Sequence, residues 1–312
     1  MNLVVSVGNV LLPLLYLVVW VFYIWIFRSD NPLPRRVASR LTAAVVLLHL
    51  GALAAKAQLY GRLPLGSGLE FASGLAVALL VTYLYIERRR RVKQTGFMIT
   101  GLAFLLQFIA SAFSVTVPDA SPLLHDPGFA GHVVLVLLAY TALTVSFLYA
   151  VLYLVLARQL GRRQFGLLFR RLPSLDVLER MSVGAVELGV PLLFLSLSLG
   201  HLWMYNLADR VDPALAAELS PWDPKILVSW VILLGYAAGL AGYRLLGWRG
   251  RRMNVLAVAA YVVVIVAMGV VQHFVPSFHD FRQQQPREVS LMWPLAPAHD
   301  GARPRPGGGG AE

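Results

Sequence analysis

Residues 129–156 read FAGHVVLVLLAYTALTVSFLYAVLYLVL, and they contain no Asp, Glu, Lys or Arg. At a rise of about 1.5 Å per residue, such a run is long enough to cross the roughly 30 Å hydrocarbon core of a bilayer. Comparable apolar runs lie on both sides of it, at 4–26, 40–60, 69–87, 96–116, 183–205, 224–245 and 253–274. The bilayer offers backbone amides no partner, so each run satisfies its own as a helix. A barrel would alternate with period two in segments of about ten residues, and these runs do not. The sequence therefore predicts an all-α integral membrane protein, a bundle of eight transmembrane helices. Composition agrees. Of 312 residues, 58% are apolar and 14% charged, against about 45–50% and about 25% in soluble domains.

Charge fixes the expected orientation. Arg28, Arg35, Arg36 and Arg40 fall between the first two runs. Arg88, Arg89, Arg90, Arg91 and Lys93 follow the third. Arg158, Arg162, Arg163, Arg170, Arg171 and Arg180 follow the fifth, and Arg244, Arg249, Arg251 and Arg252 the seventh. The even connections carry only Lys56, Arg62, Arg210 and Lys225. The positive-inside rule puts the odd loops in the cytoplasm and both termini outside. The net charge of +11 is thus a topology signal, with anionic lipid heads a modest addition, and nucleic acid is not an expected partner. A multi-pass protein of the cytoplasmic (inner) membrane is expected.

The N-terminus has no basic n-region and no small-residue cleavage site, so the first span is expected to stay. Residues 161–181 are too polar to span. Leu167, Leu168, Phe169, Leu172, Leu175 and Leu178 among arginines predict a short interfacial helix broken at Pro173. Residues 1–281 form the expected membrane domain. The stretch 282–312, rich in Pro, Gly and Gln, is expected to be a disordered extracytoplasmic tail. No internal repeat stands out.

The chemistry rests on histidine. The chain has no cysteine, which removes disulfides, thiol catalysis, iron–sulfur clusters, zinc ribbons and covalent haem attachment through C-x-x-C-H. G-x-S-x-G, H-E-x-x-H and the P-loop are also missing. His132 lies about three residues, roughly 4–5 Å, inside the outer end of its span. His201 and His273 end two other spans, His279 follows the last, and His125 stands in the loop 122–127. Singly, each reads as an interfacial polar residue. Gathered at one surface, neutral imidazoles read as ligands for haem iron, zinc or copper. The spacing chooses neither the metal nor the pair.

His49 falls near mid-membrane, where an ionisable group either bonds a neighbouring helix or serves as a ligand or proton relay. Lys56, seven residues on, shares its face and either snorkels or pairs with an anion such as a propionate. Glu187 is seven residues after Arg180, which predicts an ion pair between them. Asp223 before Pro224 predicts a helix N-cap with proline at the first position. Trp222 beside it suits an interfacial anchor or a wall against a planar ligand.

Four stretches together resemble the membrane-integral cytochrome c assembly proteins, the CcsA/CcmC/HemX-like group. They are Pro122-Leu123-Leu124-His125-Asp126-Pro127 running into Gly131-His132, and Leu172-Pro173-Ser174-Leu175-Asp176 leading to Val190-Pro191. The third is Gly200-His201-Leu202-Trp203 followed by Trp222-Asp223-Pro224-Lys225 and Trp230, which resembles the family's tryptophan-rich WWD region. The fourth is Gly247-Trp248-Arg249-Gly250, with Ser277-Phe278-His279 closing the match. The likeness covers about residues 40–281, and WDPK is its most specific part.

The resemblance implies a protein that binds haem b and presents it at the outer membrane face for attachment to apocytochrome c. His132 and His279 would be the axial ligands. Trp222, Asp223, Pro224 and Trp230 would face the haem. Trp203, His49, His201 and His273 are further candidates read from the residues themselves, and His49 matches no family motif. Attachment to thiols would use the partner's cysteines, so the chain would be part of a haem lyase rather than an enzyme alone. A CcsB-like membrane subunit would complete a synthase.

Three departures point toward the HemX-like branch, implicated in haem synthesis or its regulation. Aromatic residues are sparse over 206–220, Ile226 stands where the family often has Glu, and no histidine occurs near 241–244. A HemX-like regulator is accordingly the second expectation. A cofactor-free transporter or structural protein is the third; it would need a polar pathway through residues such as His49, Glu187 and Gln107.

Overall fold

The computed structural model describes residues 3–29, 31–114, 122–208 and 220–274, and among them it is all-helical with no strand. The helices are α1 (Leu3–Arg28), α2 (Pro32–Tyr60), α3 (Gly68–Arg90), α4 (Gly96–Ala112), α5 (Pro127–Gly161), α6 (Leu167–Arg171), α7 (Leu175–Ala208), α8 (Pro224–Leu245) and α9 (Arg251–Phe274). A short 3-10 turn, Pro122–His125, precedes α5. Seven of these helices are long and apolar enough to cross a membrane: α1, α2, α3, α5, α7, α8 and α9.

The eighth expected span, 96–116, is the shorter α4. It has 17 residues, about 25 Å at the helical rise. It ends where the Phe113 amide bonds the Ile109 carbonyl at 3.1 Å.

Two starts differ from the apolar runs. α2 begins at Pro32 rather than 40, because Asn31 caps it by accepting from the Leu33 amide at 2.9 Å. Arg35, Arg36 and Arg40 then continue the helix, arginine being a good helix former. α7 begins at Leu175 rather than 183, just after Pro173, with Asp176 and Arg180 paired at 2.5 Å one turn apart. Only Leu167–Arg171 therefore remains of the predicted interfacial helix.

The helices pack as two groups. In the first, α1–α4 surround a core containing Tyr16, Tyr23, Leu79, Leu80 and Tyr83, all with almost no exposure. In the second, α5, α7, α8 and α9 surround Leu143, Leu193, Leu233 and Tyr261. α5 packs along α7 and also meets α3, which joins the groups. Outward faces are apolar, with Leu47 at 70%, Val231 at 68% and Leu234 at 64% exposure, as expected of a surface that meets lipid rather than water.

Buried polar side chains lie between the helices of the first group. At the end where α1 finishes and α2 begins, the Glu87 carboxylate accepts from the Tyr23 hydroxyl at 2.6 Å and from the Ser39 hydroxyl. It also pairs with Lys93 at 3.2 Å. Lys93 donates in turn to the Arg35 carbonyl at 2.6 Å and to Ser39 at 2.7 Å. A single carboxylate thus ties α1, α2 and α3 together.

Candidate functional site

The site begins with a cap. Asp126 precedes Pro127 at the first position of α5 and accepts from the Gly128 amide at 2.7 Å. The same oxygen accepts from Trp203 Nε1 at 2.7 Å, so one carboxylate fastens the start of α5 to the end of α7. The Trp203 indole lies so close over Gly128 that a Cβ there would collide with it. Asp126→Ala should lower unfolding stability by about 1–2 kcal/mol, the usual worth of a cap. Chemical unfolding in detergent checks this, and Asn should restore most of it.

About one turn into α5, His132 Nδ1 lies 2.8 Å from the Ser196 carbonyl of α7. A carbonyl only accepts, so Nδ1 carries the proton and the ring lone pair resides on Nε2. Ligating histidines are oriented by this kind of contact. Gly200, one turn after Ser196, makes room for the ring: a Cβ there would fall 2.7 Å from Nδ1.

His132 lines a cavity of about 390 Å³ walled by α3, α5, α7, α8 and α9. Its walls are mainly apolar and aromatic, including Phe71, Tyr140, Leu193 and Tyr261, with Lys225 and Ser229 as polar members. Cofactor sites share this character, a cleft of about 300–1,000 Å³ with a few placed polar groups. An imidazole in the ligating tautomer, aromatic walls and a lysine for an anionic edge form a donor set that fits haem.

Of the predicted site residues that the structure describes, only His132 lines this cavity. Asp223 caps α8 by accepting from the Lys225 amide at 2.8 Å, with Pro224 at the first position, as the sequence predicts. That cap sets Lys225 at the cavity. Trp222 is 76% exposed and points away from the core. Trp230 meets His201 edge-on, centroids 5.8 Å apart, and His201 Nδ1 bonds the Leu197 carbonyl at 2.8 Å. His125 is exposed beside Gly61. The His273 side chain and all of His279 lie outside the described residues, as does the predicted tail. Among the described residues no three His, Asp or Glu side chains are gathered to hold a metal ion.

His49 belongs to the other helix group. Ser73 donates to Gln107 Oε1 at 2.8 Å, so it accepts from His49 Nε2 at 3.1 Å. His49 Nδ1 then accepts from the Tyr16 hydroxyl at 2.7 Å. Both ring nitrogens are bonded between helices, and the chain Tyr16–His49–Ser73–Gln107 crosses α1, α2, α3 and α4. Lys56 donates to Asn9 at 3.3 Å beside a small polar cavity of about 40 Å³.

Glu187 is ion-paired, but with Arg244 of α8, Nε to Oε1 at 3.0 Å. Arg180 is taken by Asp176. Seven-residue spacing identifies a shared face, and the packing of α8 against α7 decides the partner.

Sequence reasoning missed Asp126, Ser196 and Gly200. Asp126-Pro127 repeats the pattern read correctly at Asp223-Pro224 and was visible. Ser196 and Gly200 gain their roles only from α7 lying against α5.

Comparison with known proteins gives the context. The chain is 28% identical to Protein HemX of Brevibacillus brevis, over 72% of this chain and 80% of the relative. It is 28% identical to Inner membrane protein YpjD of Escherichia coli (strain K12), over 75% and 84%. It is 26% identical to Cytochrome c biogenesis protein CcsA of Guillardia theta, over 65% and 71%. A family profile described as cytochrome C assembly protein matches residues 8–276, nearly the whole helical bundle. With that match added to a multi-helix membrane bundle and the His132 cavity, the chain belongs to the cytochrome c assembly protein family.

Proposed function

We propose that the chain binds haem b in the cavity lined by His132 and acts in cytochrome c biogenesis at the outer face of the inner membrane, handing haem toward apocytochrome c. The observation that carries this is the His132 imidazole, fixed by the Ser196 carbonyl at 2.8 Å and facing an apolar cavity of about 390 Å³ beside Lys225. In this reading α4 completes eight spans, both termini are outside, and the odd loops face the cytoplasm.

Haem, when bound, supplies the iron centre and the vinyl groups that cysteine thiols attack. The protein's part is to hold and shield it. His132 would hold the haem iron through its Nε2, and Ser196 orients its ring. Lys225 offers an ammonium to an anionic edge, and the aromatic walls exclude water. His279 is proposed as the second ligand. Two imidazoles saturate the iron and restrain its oxygen chemistry. A CcsB-like subunit is the proposed companion.

Purification in mild detergent from haem-replete cells, with oxidised and reduced spectra and a pyridine haemochrome assay, tests the proposal. A bis-histidine b-type spectrum with about one haem per chain is the expected result. A colourless yet folded protein would favour a second reading, a regulator of haem supply. The likeness to HemX and Ile226 after WDPK support that alternative. It predicts that deletion changes the amount of the first haem-pathway enzyme while cytochrome c stays normal.

A further inference from the structure

At the opposite end of the bundle from His132, the last turns of α5 and the first turns of α9 enclose a cavity of about 530 Å³. On α5, Leu154, Ala157, Arg158 and Gly161 line it, a spacing of three, four and seven that makes one stripe on a helix. On α9, Arg251 and Val255 line it one turn apart, and Arg162 closes the end. Both stripes run in the same sense. Leu154 and Val255 lie deeper in the bundle, and the three arginines lie at its rim. The graded stripe from Leu154 to Gly161 spans about 10 Å at the helical rise. A Cβ on Gly161 would meet nothing within 4 Å, so the groove stays open.

Among the described residues lining this cavity there is no carboxylate to pair the three guanidinium groups. The acidic side chains described at this end are engaged elsewhere. Glu87 pairs with Lys93, Asp176 with Arg180 and Glu187 with Arg244. Glu179 accepts from the Gly250 amide at 2.8 Å. The start of α9 adds the positive end of a helix dipole at the same rim. The site therefore asks for an anion, and the apolar floor asks that the anion carry a hydrocarbon chain. A soluble phosphate would leave Leu154 and Val255 uncovered.

We infer that this groove is a binding site for one anionic phospholipid of the surrounding bilayer, with the phosphate among Arg158, Arg162 and Arg251 and an acyl chain against Leu154 and Val255. Basic pockets between transmembrane helices recognise lipids in this way. The inference is independent of haem.

Native mass spectrometry of the full chain in detergent, titrated with dioleoylphosphatidylglycerol, dioleoylphosphatidylcholine or glycerol 3-phosphate, tests it. The phosphatidylglycerol should bind about tenfold more tightly than the phosphatidylcholine, and the triple variant R158Q/R162Q/R251Q should erase that preference. R88Q/R89Q/R90Q removes as many exposed positive charges away from the groove and should keep the preference. Leu154→Trp, which fills the apolar floor, should weaken binding of phosphatidylglycerol with all arginines in place. Equal binding of the two lipids would overturn the site. So would an equal loss in the Arg88–Arg90 variant, which would make the effect one of general charge. Displacement of phosphatidylglycerol by equimolar glycerol 3-phosphate would identify a soluble-anion site and overturn the lipid.

Discussion

Purified His132→Ala protein should lose the b-type haem spectrum, with haem per chain falling about tenfold or more, the scale on which even the supporting partners of a ligand act. His132 is the one imidazole among the described residues lining the cavity, and a Met or Tyr ligand such as Met268 or Tyr261 would give a different spectrum. Gly200→Val should reach the same end without touching the ligand, because its side chain must occupy the space of the His132 ring. His125→Ala, in the exposed turn before α5, should keep wild-type haem. Imidazole added to the His132→Ala protein should restore part of the spectrum, which a merely misfolded variant would not allow. Unchanged haem in His132→Ala would sink the assignment of the ligand.

The largest stability effect should come from a residue far from that cavity. Glu87→Ala leaves the Lys93 ammonium, 25% exposed, on the Ser39 hydroxyl and the Arg35 carbonyl without its anion, and takes the acceptor from the Tyr23 hydroxyl. Breaking a buried pair from one side costs about 3–5 kcal/mol. Glu187→Ala removes a pair whose members are 36% and 61% exposed, and such surface pairs are worth at most about 1 kcal/mol. Unfolding of both variants in the same detergent compares the two directly. If Glu87→Ala were no worse than Glu187→Ala, the ring of contacts around Glu87 would not hold α1, α2 and α3 together. The double replacement Glu87→Leu with Lys93→Met should recover much of the loss, since it removes both charges.

These two residues show what a sequence displays and what it hides. Membrane helices are legible because hydrocarbon demands long apolar runs: seven of the eight expected spans coincide with helices long and apolar enough to cross, and the remaining one with the shorter α4. Their ends are less legible. Arginine-bearing turns prolong α2 and α7 past the apolar boundary without changing what lipid sees. His132 is conspicuous as a lone imidazole in an apolar run, whereas its seat on Ser196 and Gly200 depends on how α7 lies across α5. Glu87 is hidden differently. Next to four arginines it looks like a loop charge, and only the fold turns it inward. His49 left hydrogen bonding and ligation evenly balanced until Tyr16 and Ser73 occupied its two nitrogens.

The chain through His49 also bears on how the protein is made. Tyr16, His49, Ser73 and Gln107 leave the ribosome in that order, one on each of the first four helices. Until Gln107 arrives, Ser73 lacks the Oε1 acceptor it has in the finished bundle, and the Tyr16–His49–Ser73 chain ends on a hydroxyl with no partner from a fourth helix. The first three helices are therefore an unfinished intermediate, a natural client for insertion chaperones and for membrane proteases that survey unassembled segments. The first four form the smallest piece that can leave the insertion machinery with this set of polar groups satisfied. A chain cut before α4 should be cleared rapidly, and one cut after it should persist.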